Sequence, residues 1–344
     1  MSLARITFEL TSRCNLNCKH CMRDRSLKND LDPKLIARVL KELKPYGISK
    51  VAFTGGEPLL HPHFQKIVES VVRQGFVFSF VSNGIELPRF ADFLARPAVK
   101  EKIERICISI DGADAETHDR VRGRGTWKKA MAGVLALKSR GIPFAVKFTL
   151  NTQNHTQLEE MILLAGKLGA DQVQLSHLHP VPQNMAAGLV MAPGEWKSLQ
   201  EQVERLKDIV KVPLYFSSEN LTDEAIPICT QLAMLDYYVD SRGWLCVCCM
   251  LPGIAGCKSG QPEKDRVADL ATTSFVEAHK RLIELIREMR LRTLERIAQG
   301  RLSELEHYQC LQCAFQMGKL DWLENFPHSP WAVLFKQAKG DEPC

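Results

Sequence analysis

From residue 4 to about 216, short apolar runs alternate with amphipathic stretches. Six runs have strand character: 5–10, 50–55, 77–83, 105–111, 144–151 and 172–177. Each is short, rich in β-branched or aromatic residues, and bounded by Gly, Asn, Asp or Pro. Helical patterns lie between them. The stretch 32–47 has Asp32 as N-cap, Pro33 in the first turn and Gly47 past the end. The stretches 61–75 and 126–141 also end in glycine, and 154–169 is a fourth helical pattern. Strand and helix repeated six times predict a parallel sheet. The period alone suits a partial barrel and an open doubly wound sheet equally. In both, functional loops leave the C-terminal ends of the strands.

The texture changes after residue 216. The stretch 236–253 reads as a hairpin turning at Ser241 and Gly243, 257–270 as a polar loop, and 272–300 as helix. A Cys-x2-Cys at 310–313 and an aromatic tail follow, with Trp322, Phe326, Trp331 and Phe335. The tail is expected to pack on this second region, with capping of the barrel opening as the alternative. A boundary near 216–228 divides the chain into domains 1–216 and 217–344.

The 344 residues carry a net charge of +5, with the basic residues spread out, which points to no nucleic-acid partner. No run of about twenty apolar residues suits a membrane-spanning helix. Arg5, Glu9 and Arg13 stand where a signal peptide needs an apolar core, so a cytoplasmic protein is expected. Twelve cysteines in such a chain point to metal or redox chemistry more than to disulfides.

Three of those cysteines follow the first strand directly, in "TSRCNLNCKHCMRD", residues 11–24. The spacing is Cys14-x3-Cys18-x2-Cys21. Thiolates are soft ligands for zinc, copper(I) or iron–sulfur clusters. Three of them leave one coordination position for another group. A zinc completed by His20 or by a remote cysteine is the alternative. His20, wedged in "CKHC", is poorly placed to reach a metal that its neighbours bind.

This spacing resembles that of the radical S-adenosylmethionine (SAM) superfamily, and four further motifs follow in order at strand ends. They are "GGEP" (55–58), "SNG" (82–84), "ISIDG" (108–112) with "HDRVRG" (118–123), and "LNTQN" (150–154). The resemblance covers about residues 4–216 and implies a partial (β/α)6 TIM barrel. It implies a 4Fe-4S cluster on Cys14, Cys18 and Cys21, with SAM on the open iron. One electron from the cluster would cleave SAM to a 5′-deoxyadenosyl radical, which takes a hydrogen atom from substrate. Gly55 and Gly56 would let the backbone approach the methionine end of SAM. Glu57 would accept from its amino group, and Pro58 would fix the turn. Ser82 and Asn83 are expected at the ribose or the methionine carboxylate. Ser109 and Asp111 lie two apart on one strand face, and Asn151 is expected at the ribose. Arg122 is the candidate partner of the SAM carboxylate, with Arg120 as its competitor.

The later cysteines resemble the auxiliary domain of the SPASM/twitch group. That resemblance implies a second 4Fe-4S cluster on Cys229, Cys248, Cys310 and Cys313. The further cysteines of the full SPASM pattern are missing after Cys313, so the shorter twitch form fits better. Cys246 or Cys249 could replace Cys248, strand alternation placing Cys246 with Cys248 and Cys249 opposite. Cys257 has no assigned role, and zinc remains the alternative metal. With a filled auxiliary cluster as electron acceptor, oxidation, dehydrogenation or rearrangement of a small molecule is the first reading. Peptide maturation is the second reading. Only thirteen residues precede Cys14, so no fused peptide-binding domain is expected there, and a separate recognition protein is left as an option. A flavodoxin- or ferredoxin-type electron donor is implied. A non-catalytic iron–sulfur or zinc-binding protein is the alternative from another class.

Overall fold

The computed structural model describes residues 4–216, 229–251 and 263–340. Its ten strands are β1 (Arg5–Thr11), β2 (Lys50–Gly55), β3 (Val77–Ser82), β4 (Ile103–Ser109), β5 (Phe144–Leu150), β6 (Gln172–His177), β7 (Leu214–Phe216), β8 (Asp236–Val239), β9 (Trp244–Cys246) and β10 (Arg266–Asp269). The helices in the first region are α1 (Pro33–Leu43), α2 (Phe64–Arg73), α3 (Leu87–Leu94), α4 (Pro97–Lys100), α5 (Ala115–Arg122), α6 (Thr126–Lys138), α7 (Leu158–Leu168), α8 (Pro182–Ala186) and α9 (Pro193–Lys207). Three more follow the hairpin: α10 (Phe275–Ala298), α11 (Gln309–Gln316) and α12 (Pro330–Lys339). No helix among the described residues is long and apolar enough to cross a membrane.

Strands β1 to β7 lie side by side in chain order, and every neighbouring pair is parallel. A doubly wound sheet must reverse its strand order at a switch point. No reversal occurs between β1 and β7, so right-handed crossovers place the helices on one face. This decides the question the period left open, in favour of the partial barrel. The six expected strands sit within two residues of their predicted bounds, and β7 adds a short seventh.

The two faces of the sheet differ in chemistry. Ile6, Phe8, Leu10, Val51, Phe53, Phe78, Phe80, Ile106, Val146, Phe148 and Leu175 are all buried in one core on the outer face. Burying each such side chain contributes about 1.5–3 kcal/mol. The alternate positions are polar: Thr7, Glu9 and Thr11 on β1, Cys107 and Ser109 on β4, Lys147 and Thr149 on β5, Gln174 and Ser176 on β6. They form the inner face.

The second region does not stand apart from this sheet. Strand β8 pairs in parallel with β1, with Arg5 opposite Asp236 and Thr7 opposite Tyr238. The Asp236 carboxylate accepts from Arg5 Nε and Nη2 at 2.8 and 2.7 Å and from Thr7 Oγ1 at 2.8 Å. The predicted hairpin is present as antiparallel β8 and β9, and β10 pairs antiparallel with β9. The stretch 257–270, expected as loop, thus contains a strand in its described part. Four residues, two of them charged, carry no strand signature; pairing with β9 supplies it.

The aromatic tail is anchored twice. Trp331 is fully buried, its ring 4.9 Å from those of both Trp196 and Tyr308, and its Nε1 donates to the Met191 carbonyl at 3.0 Å. Phe335 packs edge-on against Phe315 of α11. Trp331 therefore ties the tail to α9 of the barrel region, while Phe335 ties it to the second region. Trp331→Ala is expected to cost about 3–5 kcal/mol. A lowered melting temperature, with faster amide exchange in α12 than in β1–β6, would report it.

Candidate functional site

The loop that carries Cys14, Cys18 and Cys21 leaves β1 at Thr11 and is held against the next strand end by backbone. Gly56 N–H donates to Thr11 O and Glu57 N–H to Arg13 O, both at 2.8 Å. A Cβ at Gly55 would lie 2.3 Å from Thr11 O, and one at Gly56 would lie 2.0 Å from Arg13 O. Only glycine permits this approach, and Gly55 also has φ 128°. The close contact that the structure records at these glycines is therefore to the cysteine loop itself.

Glu57 is buried behind the clamp. Its carboxylate accepts from Ser82 Oγ at 2.9 Å, Asn83 N–H at 2.8 Å and Leu59 N–H at 3.3 Å. Burial nevertheless pushes its carboxyl up to about 7, against those three donors. Pro58 opens a single 3-10 turn, Pro58–Leu60, which Glu57 caps. Asn83 Nδ2 reaches the cysteine loop, donating to Asn15 Oδ1 at 2.8 Å. The GGEP and SNG motifs thus form one frame around the loop.

A second network closes the other side. Asp111 is fully buried and accepts from Arg122 Nε at 2.6 Å and from Thr149 N–H at 2.9 Å. His20 Nε2 lies 3.5 Å from its carboxylate. Burial opposes ionisation of Asp111, but Arg122, His20 and the Thr149 N–H together hold its carboxyl below the usual range. Burial pushes His20 down to about 4, so it is neutral at pH 7. Lys19 N–H donates to Val121 O at 2.9 Å, which docks the end of α5 on the cysteine loop. Arg122, expected at a carboxylate of SAM, is thus paired with Asp111 inside the protein. Its competitor Arg120 pairs with exposed Glu116 on the surface. Asn151 is buried in a turn, its amide donating to Thr149 O and accepting from Gln153 N–H. Ser109 is buried on the inner face below Asp111.

Ten cysteines lie among the described residues. Cys14 is exposed, Cys21 half-buried and Cys18 buried, with the Cys18 thiol pushed up to about 11 by desolvation. Cys229, Cys248, Cys249, Cys310 and Cys313 line one cavity with Gln231, Leu232, Val247, Met250 and Gln309. Burial raises the Cys313 thiol to about 12. Strand alternation does not sort Cys248 from Cys249, because β9 ends at Cys246 and the following backbone turns both into the cavity. Cys246 stays in the strand, buried with its Sγ near Trp244 O. Cys257 and Cys344 lie outside the described residues. Among the described residues, no three His, Cys, Asp or Glu side chains are drawn together for a single metal ion. The thiol-rich, otherwise mostly apolar cavity suits a soft iron–sulfur group. The loop with three thiols beside Arg122 suits an anionic one.

Three residues carry no signal in the sequence and are brought together by β8. Tyr238 Oη donates to Glu9 Oε2 at 2.8 Å, and Arg23 Nη1 lies 3.6 Å from the same oxygen. Arg23 Nη2 also donates to Cys249 O at 3.1 Å. Met22 and His179 share an apolar cavity with Met250, Cys310 and Trp322. The two cysteine regions are therefore neighbours.

Residues 8–165 match the family model "Radical SAM superfamily". The AdoMet-dependent heme synthase of Methanosarcina barkeri is 31% identical over 185 residues, which is 51% of this chain and 50% of that protein. Mycofactocin maturase MftC of Mycolicibacterium smegmatis is 29% identical over 178 residues, 51% of this chain and 44% of that one. The chain spans about half the length of the curated relatives it matches. Among solved structures, anSMEcpe with bound AdoMet superposes with a TM-score of 0.64 at 14% identity, over 98% of this chain and 100% of that one. Streptococcus suis SuiB bound to precursor peptide SuiA gives 0.59 at 14%, over 75% and 62%. At such identity these two show the shared fold.

Gly56→Ala is expected to cost about 1–3 kcal/mol and to free the cysteine loop. Faster exchange of the Gly56 and Glu57 amides, with lowered iron loading, would register this. Glu57 sets a pH dependence in the metal-free protein. Its raised pKa means that its contribution is complete below 4.5 and lost as pH rises through about 7. Glu57→Gln removes that titration. Over this window the variant should gain on wild type by on the order of 3 kcal/mol, read as the difference in melting temperature against pH. A constant difference would remove Glu57 as the titrating group.

Proposed function

The chain carries a radical SAM domain over residues 8–165, and on that premise we propose that it is an enzyme of the SPASM/twitch type that oxidises its substrate by radical chemistry. Cys14, Cys18 and Cys21 would hold a 4Fe-4S cluster with SAM on its open iron. Cys229, Cys248, Cys310 and Cys313 would hold the auxiliary cluster, with Cys249 beside them. When bound, these groups supply one-electron cleavage of SAM, hydrogen-atom abstraction and an electron acceptor.

The protein's own part is positional. Gly55, Gly56, Glu57 and Pro58, with Ser82 and Asn83, hold the loop in register and bound the space next to it. Asp111 fixes Arg122 and His20, leaving one buried cation near the three thiols. Ser109 and Asn151 close the inner wall. Domains 1–216 and 217–344 share a sheet through β1 and β8, which keeps the two cysteine sets in fixed relation.

The convergence of five thiols on one cavity, next to Met22 and Arg23 of the first loop, carries this reading. An acceptor that close to the barrel mouth suits removal of a second electron from substrate. A small-molecule oxidation or dehydrogenation is the leading assignment. Peptide maturation is the second, supported by relatives such as the mycofactocin maturase and the PqqA peptide cyclase of Gluconobacter oxydans. A flavodoxin- or ferredoxin-type protein would donate the electron, in the cytoplasm.

Anaerobic reconstitution with iron and sulfide should give about eight irons per chain from two clusters, and reductant should convert SAM to 5′-deoxyadenosine. Replacing Cys14, Cys18 and Cys21 with Ala should abolish that cleavage and leave about four irons. Bound zinc without SAM cleavage would sink the assignment and favour a non-catalytic metal protein.

A further inference from the structure

The inner face of the sheet, with the loop and helix end above it, carries a set of cations, and most of them have an anion beside them. Arg5 pairs with Asp236, Lys50 with Glu104, Arg23 with Glu9 and Arg122 with Asp111. Arg105 on β4 and Lys147 on β5 are different. Both are half-buried, and neither has a carboxylate partner among the described residues. By register Arg105 lies opposite Ser79, and Lys147 lies between Ser109 and Gln174, so both project to the inner side. Cys107 sits between them along β4. Its thiol contacts Gln174 Oε1 at 3.3 Å, and Lys147, Arg105 and Arg5 act on it electrostatically, opposed by the Glu104 carboxylate. A bound anion would supply the close ionic partner that both lack.

We propose that Arg105 and Lys147 form a subsite for an oxyanion group of the substrate, a carboxylate or a phosphate, deep in the barrel below the cysteine loop. This rests on the reading of the inner face as the substrate's place. Arg105 supplies a planar fork and Lys147 a point charge, a pair that grips an oxyanion from two directions. Gln174 supplies a neutral amide at the same level. The subsite would hold one end of the substrate and leave the other end facing Ser109 and the Asp111 network. It defines the substrate as acidic, whether it is a free small molecule or a side chain on a peptide.

Binding can be measured without SAM cleavage, so the two readings fail separately. Reconstituted protein would be titrated with succinate and with inorganic phosphate at constant ionic strength, following the melting temperature and the heat of binding. Wild type should show saturable binding, and the tighter of the two anions identifies the group. Arg105→Gln and Lys147→Gln should each weaken it by about tenfold or more. Lys147→Arg keeps the charge and should retain it. Lys128→Gln, at an exposed helix position, should leave the affinity unchanged. Absence of saturable binding by either anion, or affinity unchanged in both Gln variants, would overturn the subsite even if SAM cleavage proceeds normally.

Discussion

Two backbone hydrogen bonds, from Gly56 and Glu57 to the carbonyls of Thr11 and Arg13, set the position of everything that follows β1. They continue the β1–β2 pairing past the end of the strand and into the cysteine loop. The approach is so close that no side chain fits at either glycine, since an added Cβ would sit 2.3 or 2.0 Å from a carbonyl oxygen. The loop therefore inherits the rigidity of a parallel sheet rather than the freedom of a surface connection. That rigidity fixes the backbone that carries Cys14, Cys18 and Cys21.

Buried charge is distributed around this clamp in two forms. Asp111 is matched by Arg122, by a backbone N–H and by a nearby neutral imidazole, and it stays ionised. Glu57 has three donors and no cation, and burial raises its pKa. The contrast follows from the cost of desolvating a carboxylate, which neutral donors offset only in part. Arg105 and Lys147 are half-buried cations on the inner wall with no carboxylate at ion-pair distance among the described residues.

Strand β1 is shared. On one side it pairs with β2 and builds the barrel; on the other it pairs in parallel with β8 and fixes the hairpin that leads to Cys248 and Cys249. Tyr238 on β8 meets Glu9 on β1 and Arg23 from the cysteine loop, and Arg23 in turn reaches the backbone of Cys249. One buried polar chain thus connects the two cysteine sets across a continuous sheet. Relative motion between them would have to break main-chain pairing, not just a side-chain interface.

The sequence by itself determined the six parallel strands, the three-cysteine loop and the motifs at the strand ends. Outward apolar positions recur with period two along each strand, and glycines mark the backbone approaches, so both leave local signals. The four cysteines that the sequence assigns to an auxiliary cluster line one cavity. Only the tertiary structure decided that β8 joins β1, that Cys249 shares the cavity and that Arg122 pairs with Asp111. Each of these is a contact between residues far apart in the chain, or follows from where a strand happens to end. Long-range pairing leaves no periodic trace, and a buried ion pair shows only as two unremarkable charges until the fold removes water from both.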